Sequence, residues 1–371
     1  MSGLGERPSL EQHRRFGYRP QLDGVRALAI LPVVGFHAWT VPKGGYLGVD
    51  IFFVLSGFLI TTLLVEEAQA KGHISAGHFY LRRALRLLPA LLVAALAYAL
   101  LSSLEVAVTG HTHVGTPLAD AWKGAAYGVV YVQNILIATG TAMPVAIGHL
   151  WSLATEEQFY LLWPMMLVIA LWARVGYRAL SIFLVVVILA LALDRIRLIH
   201  SGASFRRLYF APDGHFDVIL IGCLAGLWFA TGGAPRALRR KWLSNTFLVV
   251  GVATVSLMLV LPYFATGHVV LGLLPVLAIG IAMLIVAVAA DKTSPVALLL
   301  SLAPFVFIGK ISYALYLWHP IILYAFHRTT VVAEVALSFV AATLSYYVVE
   351  LPFLRLKRRD RARVDSAPAR A

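Results

Sequence analysis

Eleven apolar runs organise the chain, at residues 22–41, 46–65, 84–104, 121–139, 150–173, 178–194, 213–231, 244–263, 268–290, 303–327 and 331–352. Most approach the roughly 20 residues that an α-helix needs to cross a hydrocarbon layer about 30 Å thick. The pattern therefore predicts a series of membrane helices. The run at 121–139 is broken by Gly124, Gly128, Gln133 and Asn134. It is predicted as an interfacial or re-entrant segment, packed against protein where its backbone polar groups find partners. The expected fold is all-α: a polytopic integral membrane helix bundle with ten crossings and one extra segment.

Composition narrows this further. Of the 371 residues, 60% are hydrophobic and 13% charged, against about 25% charged in soluble domains. An ordinary soluble enzyme and a disordered chain are both excluded. The formal net charge is +13. Because the bases fall between apolar runs, they read as positive-inside signals and not as a nucleic-acid footprint. Membrane lipids are the expected environment and no nucleic-acid partner is implied.

Arg7, Arg14, Arg15 and Arg19, then Lys71, Arg82, Arg83 and Arg86, mark cytoplasmic segments. So do Arg174 with Arg178, Arg236 through Lys241, and Arg355 through Arg363. Both ends inside requires an even number of crossings, and 105–149 then lies outside. Arg195, Arg197, Arg206 and Arg207 fall outside in this scheme. They serve either an anionic or sugar-bearing acceptor or the lipid head groups. Three segments follow: a basic cytoplasmic stretch 1–21, a membrane domain 22–352, and a basic, disordered cytoplasmic tail 353–371. The first 21 residues are too polar for a cleavable leader. A single cysteine, Cys223, excludes an internal disulfide and a cysteine metal cluster, and no metal is expected.

Ionisable groups within membrane helices are costly and point to function. Arg26 and His37 are eleven residues apart, three turns, on one face and about 16 Å apart along the axis. Arginine near the inner end suits an oxyanion; histidine in the outer half suits proton abstraction. The alternative is a snorkelling Arg26 beside Asp23 and a hydrogen-bonded core His37. Asp50 stands at the outer start of the second helix, where it either orients His37 or caps the helix. Arg82, Arg83 and Arg86 sit at the cytoplasmic mouth of the third helix. They match the phosphates of coenzyme A, or serve as a plain topology anchor.

A polar stretch from His149 to Tyr160 enters the next helix, with Ser152, Glu156 and Tyr160 at i, i+4 and i+8 on one face. Trp151 and Tyr160 fit an interfacial aromatic belt equally, and the Glu156–Glu157 pair also suits the positive end of a helix dipole. Ser312, Tyr316 and His319 share a face late in the chain, and Glu350 lies near the end of the last helix.

Taken together, these stretches resemble the acyltransferase-3 family of bacterial membrane O-acyltransferases. The resemblance rests on Gln21-Leu22-Asp23-Gly24-Val25-Arg26 through His37, the run 48–58, and Arg82-Arg83-x-x-Arg86. Trp151-Ser152-Leu153 with Glu156 and Phe159-Tyr160, Ile311-Ser312-Tyr313 through His319, and Glu350-Leu351-Pro352 complete it. It covers about 15–352. One departure is His215 before Asp217, where the family often has arginine. Some members carry a further hydrolase-like domain after the last helix; the 19 residues after Pro352 are too few for one, and none is expected.

The resemblance implies transfer of an acyl group, commonly acetyl, from cytoplasmic acyl-coenzyme A to a hydroxyl of an extracytoplasmic carbohydrate or glycoconjugate. The enzyme would sit in the bacterial cytoplasmic membrane. Under it, Arg82, Arg83 and Arg86 hold the nucleotide phosphates and Arg26 guides the pantetheine arm. His37 is the general base, with Asp50 or Glu156 orienting it or the acceptor. Tyr316 or Ser312 donates to the oxyanion. Trp151, Ser152, Tyr160, Ser312, Tyr316, His319 and Glu350 line the acceptor path. The competing reading is a secondary transporter of an anionic solute, which predicts paired broken helices in two halves. None is visible in the sequence.

Overall fold

The computed structural model describes residues 16–110, 117–262, 267–325 and 329–356. Arg7, Arg14, Arg15 and the bases from Lys357 onward, with most of the predicted tail, lie outside the described residues. Among those described, the regular structure is helical throughout. The helices are α1 (Pro20–Trp39), α2 (Gly48–Lys71), α3 (Ala76–Thr109), α4 (Leu118–Val129), α5 (Gln133–Ala138), α6 (Val145–Gly148), α7 (Trp151–Trp172) and α8 (Tyr177–His200). They continue as α9 (Phe205–Phe210), α10 (Phe216–Ala230), α11 (Gly233–Ala237), α12 (Lys241–Val260), α13 (Gly267–Ala290), α14 (Pro295–Leu300), α15 (Ala303–Ala325) and α16 (Val331–Ser345). α16 runs on through a π-helical turn at Tyr346–Glu350.

Among the described residues, eight helices are long and apolar enough to cross a membrane: α1, α2, α3, α8, α12, α13, α15 and α16 with its extension. The other two predicted crossings are helices as well. α10 has 15 residues, about 22 Å at 1.5 Å per residue. α7 has 22 residues but holds Ser152, Thr155, Glu156, Glu157 and Gln158 in its first half. The bundle as a whole is a polytopic membrane fold. α8 shows its outward face plainly: Ile182, Val186, Leu189 and Leu193 are exposed, as a lipid-facing surface requires.

The 121–139 run is split between α4 and α5, with Tyr131 at φ 57° between them. Its polar residues face inward. Gln133 Nε2 donates to Gly124 O at 2.9 Å, and Asn134 Nδ2 donates to Thr155 Oγ1 at 3.1 Å and Gln158 Oε1 at 2.9 Å. These side-chain amides pack against protein and find their partners there, as expected of a segment that does not span.

Close glycine contacts set helix direction. A Cβ on Gly222 of α10 would strike the Val54 carbonyl of α2, and one on Gly226 would strike that of Phe58. The two helices therefore run parallel. A Cβ on Gly309 of α15 would strike the Asp23 carbonyl, while His319 further along meets His37, so α1 and α15 are parallel too. With each longer helix crossing once, parallel α2 and α10 require that 121–139 not cross. Had it crossed, the two would be antiparallel. Small residues of this kind let membrane helices approach backbone to backbone.

Candidate active site

α1 carries Arg26 in its first half and His37 in its last turn. Pro20 begins it at a position where its missing N–H costs nothing, and the helix ends at Thr40 in the left-handed region. His37, in the last turn, is exposed. Its Nδ1 lies 3.0 Å from Val33 O and 3.2 Å from His319 Nε2. His319 is fully buried, and its Nδ1 lies 2.8 Å from Leu315 O. His149, just before α7, joins them with its ring 5.7 Å from that of His319. Burial and the neighbouring His37 push His149 down to about 3, so it is a neutral imidazole. Tyr316 gives its single phenolic proton to His149 O at 2.6 Å. The hydroxyl of Ser152, 2.6 Å away, is therefore the donor to Tyr316.

A second cluster lies around α3 and α7. Arg83 Nε donates to Glu157 Oε1 at 2.7 Å, Arg83 Nη2 lies 2.5 Å from the same oxygen, and Glu156 is at 3.6 Å. The guanidinium sits 3.2 Å from the Tyr160 ring centroid, a cation–π stack. Glu156 accepts from Ser56 of α2 and from Tyr160 OH at 2.7 Å. Arg86, three residues on, feels the charges of Arg26, Arg83 and Glu350. Glu350 is buried on the π turn with Oε1 unpartnered. Arg26 holds Asp23 at 2.5 Å, and Tyr18 OH donates to Asp23 at 2.8 Å. Arg82 precedes Arg83 on α3 and is partly exposed.

A third group is fully buried between α2, α8 and α10. Arg195 grips Asp217 through two nitrogens at 2.7 and 2.5 Å and reaches Gly214 O at 2.7 Å. Asp50 lies beside it, with His215 Nε2 3.5 Å from its Oδ1. Trp151, Tyr209 and Phe53 enclose the His215 ring with centroids 5.2, 5.0 and 5.3 Å away.

The predicted residues thus separate into three neighbourhoods. His37, His319, Ser152 and Tyr316 come together, with Ser312 buried on the same α15 helix. Arg26, Arg83, Arg86, Glu156, Tyr160 and Glu350 form the second, with Arg82 next to Arg83 in the α3 sequence. Asp50 and Trp151 join the third: Asp50 lies against His215, while the hydrogen-bond partners of His37 among the described residues are Val33 and His319. Arg195, read from the sequence as facing an acceptor or head groups, is instead 3% exposed and paired. Glu157, as the counter-ion of Arg83, and His149 were missed. Both stood in the polar stretch at 149–160, but nothing in a linear sequence says which of two adjacent carboxylates meets an arginine on another helix.

Comparison with known proteins places this arrangement. A family model described as an acyltransferase domain matches residues 19–353. A Staphylococcus aureus (strain MSSA476) protein provisionally named an O-acetyltransferase is 32% identical over 369 residues, covering 92% of this chain and 58% of that protein. The O-acetyltransferase OatA of Staphylococcus aureus (strain NCTC 8325 / PS 47) is 30% identical over 360 residues, covering 90% of this chain and 57% of its own. The chain thus spans somewhat over half the length of these relatives. No solved structure matches. With the family model spanning nearly the whole bundle and all three polar neighbourhoods inside it, the chain belongs to the acyltransferase-3 family.

Proposed function

We propose that the protein is a membrane O-acetyltransferase. It moves an acyl group from cytoplasmic acyl-coenzyme A to a hydroxyl of a carbohydrate-type acceptor on the far side of the cytoplasmic membrane. The observation that carries this is the layout of α1. Arg26 stands among the arginine–carboxylate cluster, and His37, exposed, stands three turns away among imidazoles and hydroxyls. The names of the Staphylococcus aureus relatives support acetyl as the group and oxygen as the acceptor atom.

Arg86 and Arg82 are the anion partners for the donor phosphates, since Arg83 is already engaged by two carboxylates, and Arg26, held by Asp23, guides the pantetheine arm. His37 takes the proton of the acceptor hydroxyl as its oxygen attacks the thioester carbon. The carbon–sulfur bond breaks, and the proton returns to the departing sulfur. General-base catalysis contributes about 10²–10⁴-fold.

The test is acyl transfer by the purified protein in proteoliposomes carrying labelled acetyl-coenzyme A, with mass spectrometry of envelope glycans from cells with and without the gene. A mass increment of one acetyl group that disappears in His37→Gln cells is expected. Unchanged glycans, with His37→Gln turning over donor normally, would remove this reading.

A further inference from the structure

The imidazole pair at the outer end of α1 fixes where one proton sits. His319 Nδ1 lies 2.8 Å from the Leu315 carbonyl. A carbonyl only accepts, so Nδ1 carries the hydrogen and Nε2 bears the lone pair. That Nε2 faces His37 Nδ1 at 3.2 Å, and the same His37 nitrogen lies 3.0 Å from the Val33 carbonyl. Both neighbours of His37 Nδ1 are acceptors, so it bears a hydrogen shared between them. In a neutral His37 the lone pair is left on Nε2, in a side chain that solvent reaches.

We propose that His319 is a positioning residue, which holds His37 in the Nδ1–H tautomer and steadies the imidazolium formed when Nε2 takes the acceptor proton. The proposal rests on His37 being the base. In that step the hydroxyl O–H bond breaks and its proton goes to His37 Nε2. The oxygen bonds to the acyl carbon, the carbon–sulfur electron pair leaves with sulfur, and His37 Nε2 returns the proton to it. Throughout, His37 Nδ1–H donates to His319 Nε2. Buried and itself oriented by Leu315, His319 takes the place that a carboxylate holds in a Ser-His-Asp triad, where the third group fixes tautomer and orientation.

Among the described residues, three titratable groups face the His319 ring: His37 from α1 with centroids 5.1 Å apart, His149 from the segment before α7 at 5.7 Å, and Tyr316 on its own helix at 5.9 Å. None is a carboxylate, so the acceptor offered to His37 is a neutral nitrogen.

Two substitutions separate this role from packing. In His319→Asn the amide ends near the Nδ1 position, keeps a donor for Leu315 O and loses reach to His37. In His319→Gln the amide oxygen extends to the Nε2 position and still accepts from His37. Each variant is read for kcat, KM, the pH dependence of kcat, and the histidine ¹⁵N spectrum of labelled protein in nanodiscs. The His37 signal is assigned by its loss in His37→Gln.

Wild-type His37 is expected as the Nδ1–H tautomer. His319→Asn is expected to lower kcat by about 100-fold or more, within the range of a lost base, with donor KM little changed. Its acid limb should move to lower pH, because the imidazolium loses an acceptor. His319→Gln should keep at least tenfold more turnover than His319→Asn. In the His37→Gln background, His319→Asn should add no further loss. Wild-type turnover, pH profile and His37 tautomer in His319→Asn, with His37→Gln inactive, would overturn the positioning role alone. An active His37→Gln would overturn the base assignment itself. Should His319→Asn not fold, a wild-type spectrum with His37 protonated at Nε2 and not at Nδ1 overturns the proposal without it.

Discussion

Arg83 and Arg86 stand three residues apart on α3, yet their removal is expected to damage different properties. Arg83→Ala takes a guanidinium away from Glu157 and Glu156, whose side chains are 18% and 16% exposed, and from the face of Tyr160. It leaves two neighbouring carboxylates without their shared counter-ion and with little water. Breaking a fully buried ion pair costs about 3–5 kcal/mol, because the remaining charge is stranded; the residual exposure puts this case near about 3 kcal/mol. Arg86→Ala removes a charge without a carboxylate in hydrogen-bond contact. Its loss should fall on the donor instead. One charge-assisted phosphate contact is worth about 1.5–3 kcal/mol, or roughly 10- to 150-fold in Kd at about 1.4 kcal/mol per decade. The assay is detergent-titrated unfolding and calorimetric binding of acetyl-coenzyme A on the same preparations. Arg83→Ala should unfold early, and Arg83→Ala/Glu157→Gln should recover part of the loss by removing one stranded charge. Arg86→Ala should keep its unfolding midpoint and bind donor weakly. If Arg83→Ala is as stable as the wild type and loses as much donor affinity as Arg86→Ala, Arg83 is a phosphate ligand and the reasoning fails.

Cysteines introduced at Thr141 and His73, both exposed, should label from opposite sides of intact cells. Thr141 should react with an impermeant reagent and His73 only after lysis; both reacting from outside would break the topology. His149 is held neutral near pKa 3 against about 6.5 in the unfolded chain. Between these values the unfolded state binds a proton that the folded state does not. Stability should therefore fall as pH drops from 6.5 toward 3, by up to about 1.4 kcal/mol per unit, and His149→Phe should flatten that acid-side slope in equilibrium unfolding. Arg195→Met should destabilise strongly by stranding Asp217, whereas Arg195→Met/Asp217→Leu should recover most of the loss; additive losses in the double variant would argue against a coupled pair.

The architecture was legible in the chain because the membrane is a simple solvent. Runs of apolar residues map directly onto helices, and among the described residues eight helices of spanning length and apolarity follow. The shared faces were legible for a similar reason. Helical periodicity alone puts Arg26 and His37 on one side of α1, and Ser312, Tyr316 and His319 on one side of α15. Pairings between helices were not legible. Glu156 sits with Arg83 and Ser56, Asp50 sits with His215, and Arg195 closes on Asp217 inside the bundle. Each of these depends on which helices touch and at what depth. That is decided by close glycine seams such as Gly222 against Val54 and Gly309 against Asp23, where backbone meets backbone. A contact of that kind fixes the register between two helices to a fraction of a turn, and no periodicity within either helix encodes it.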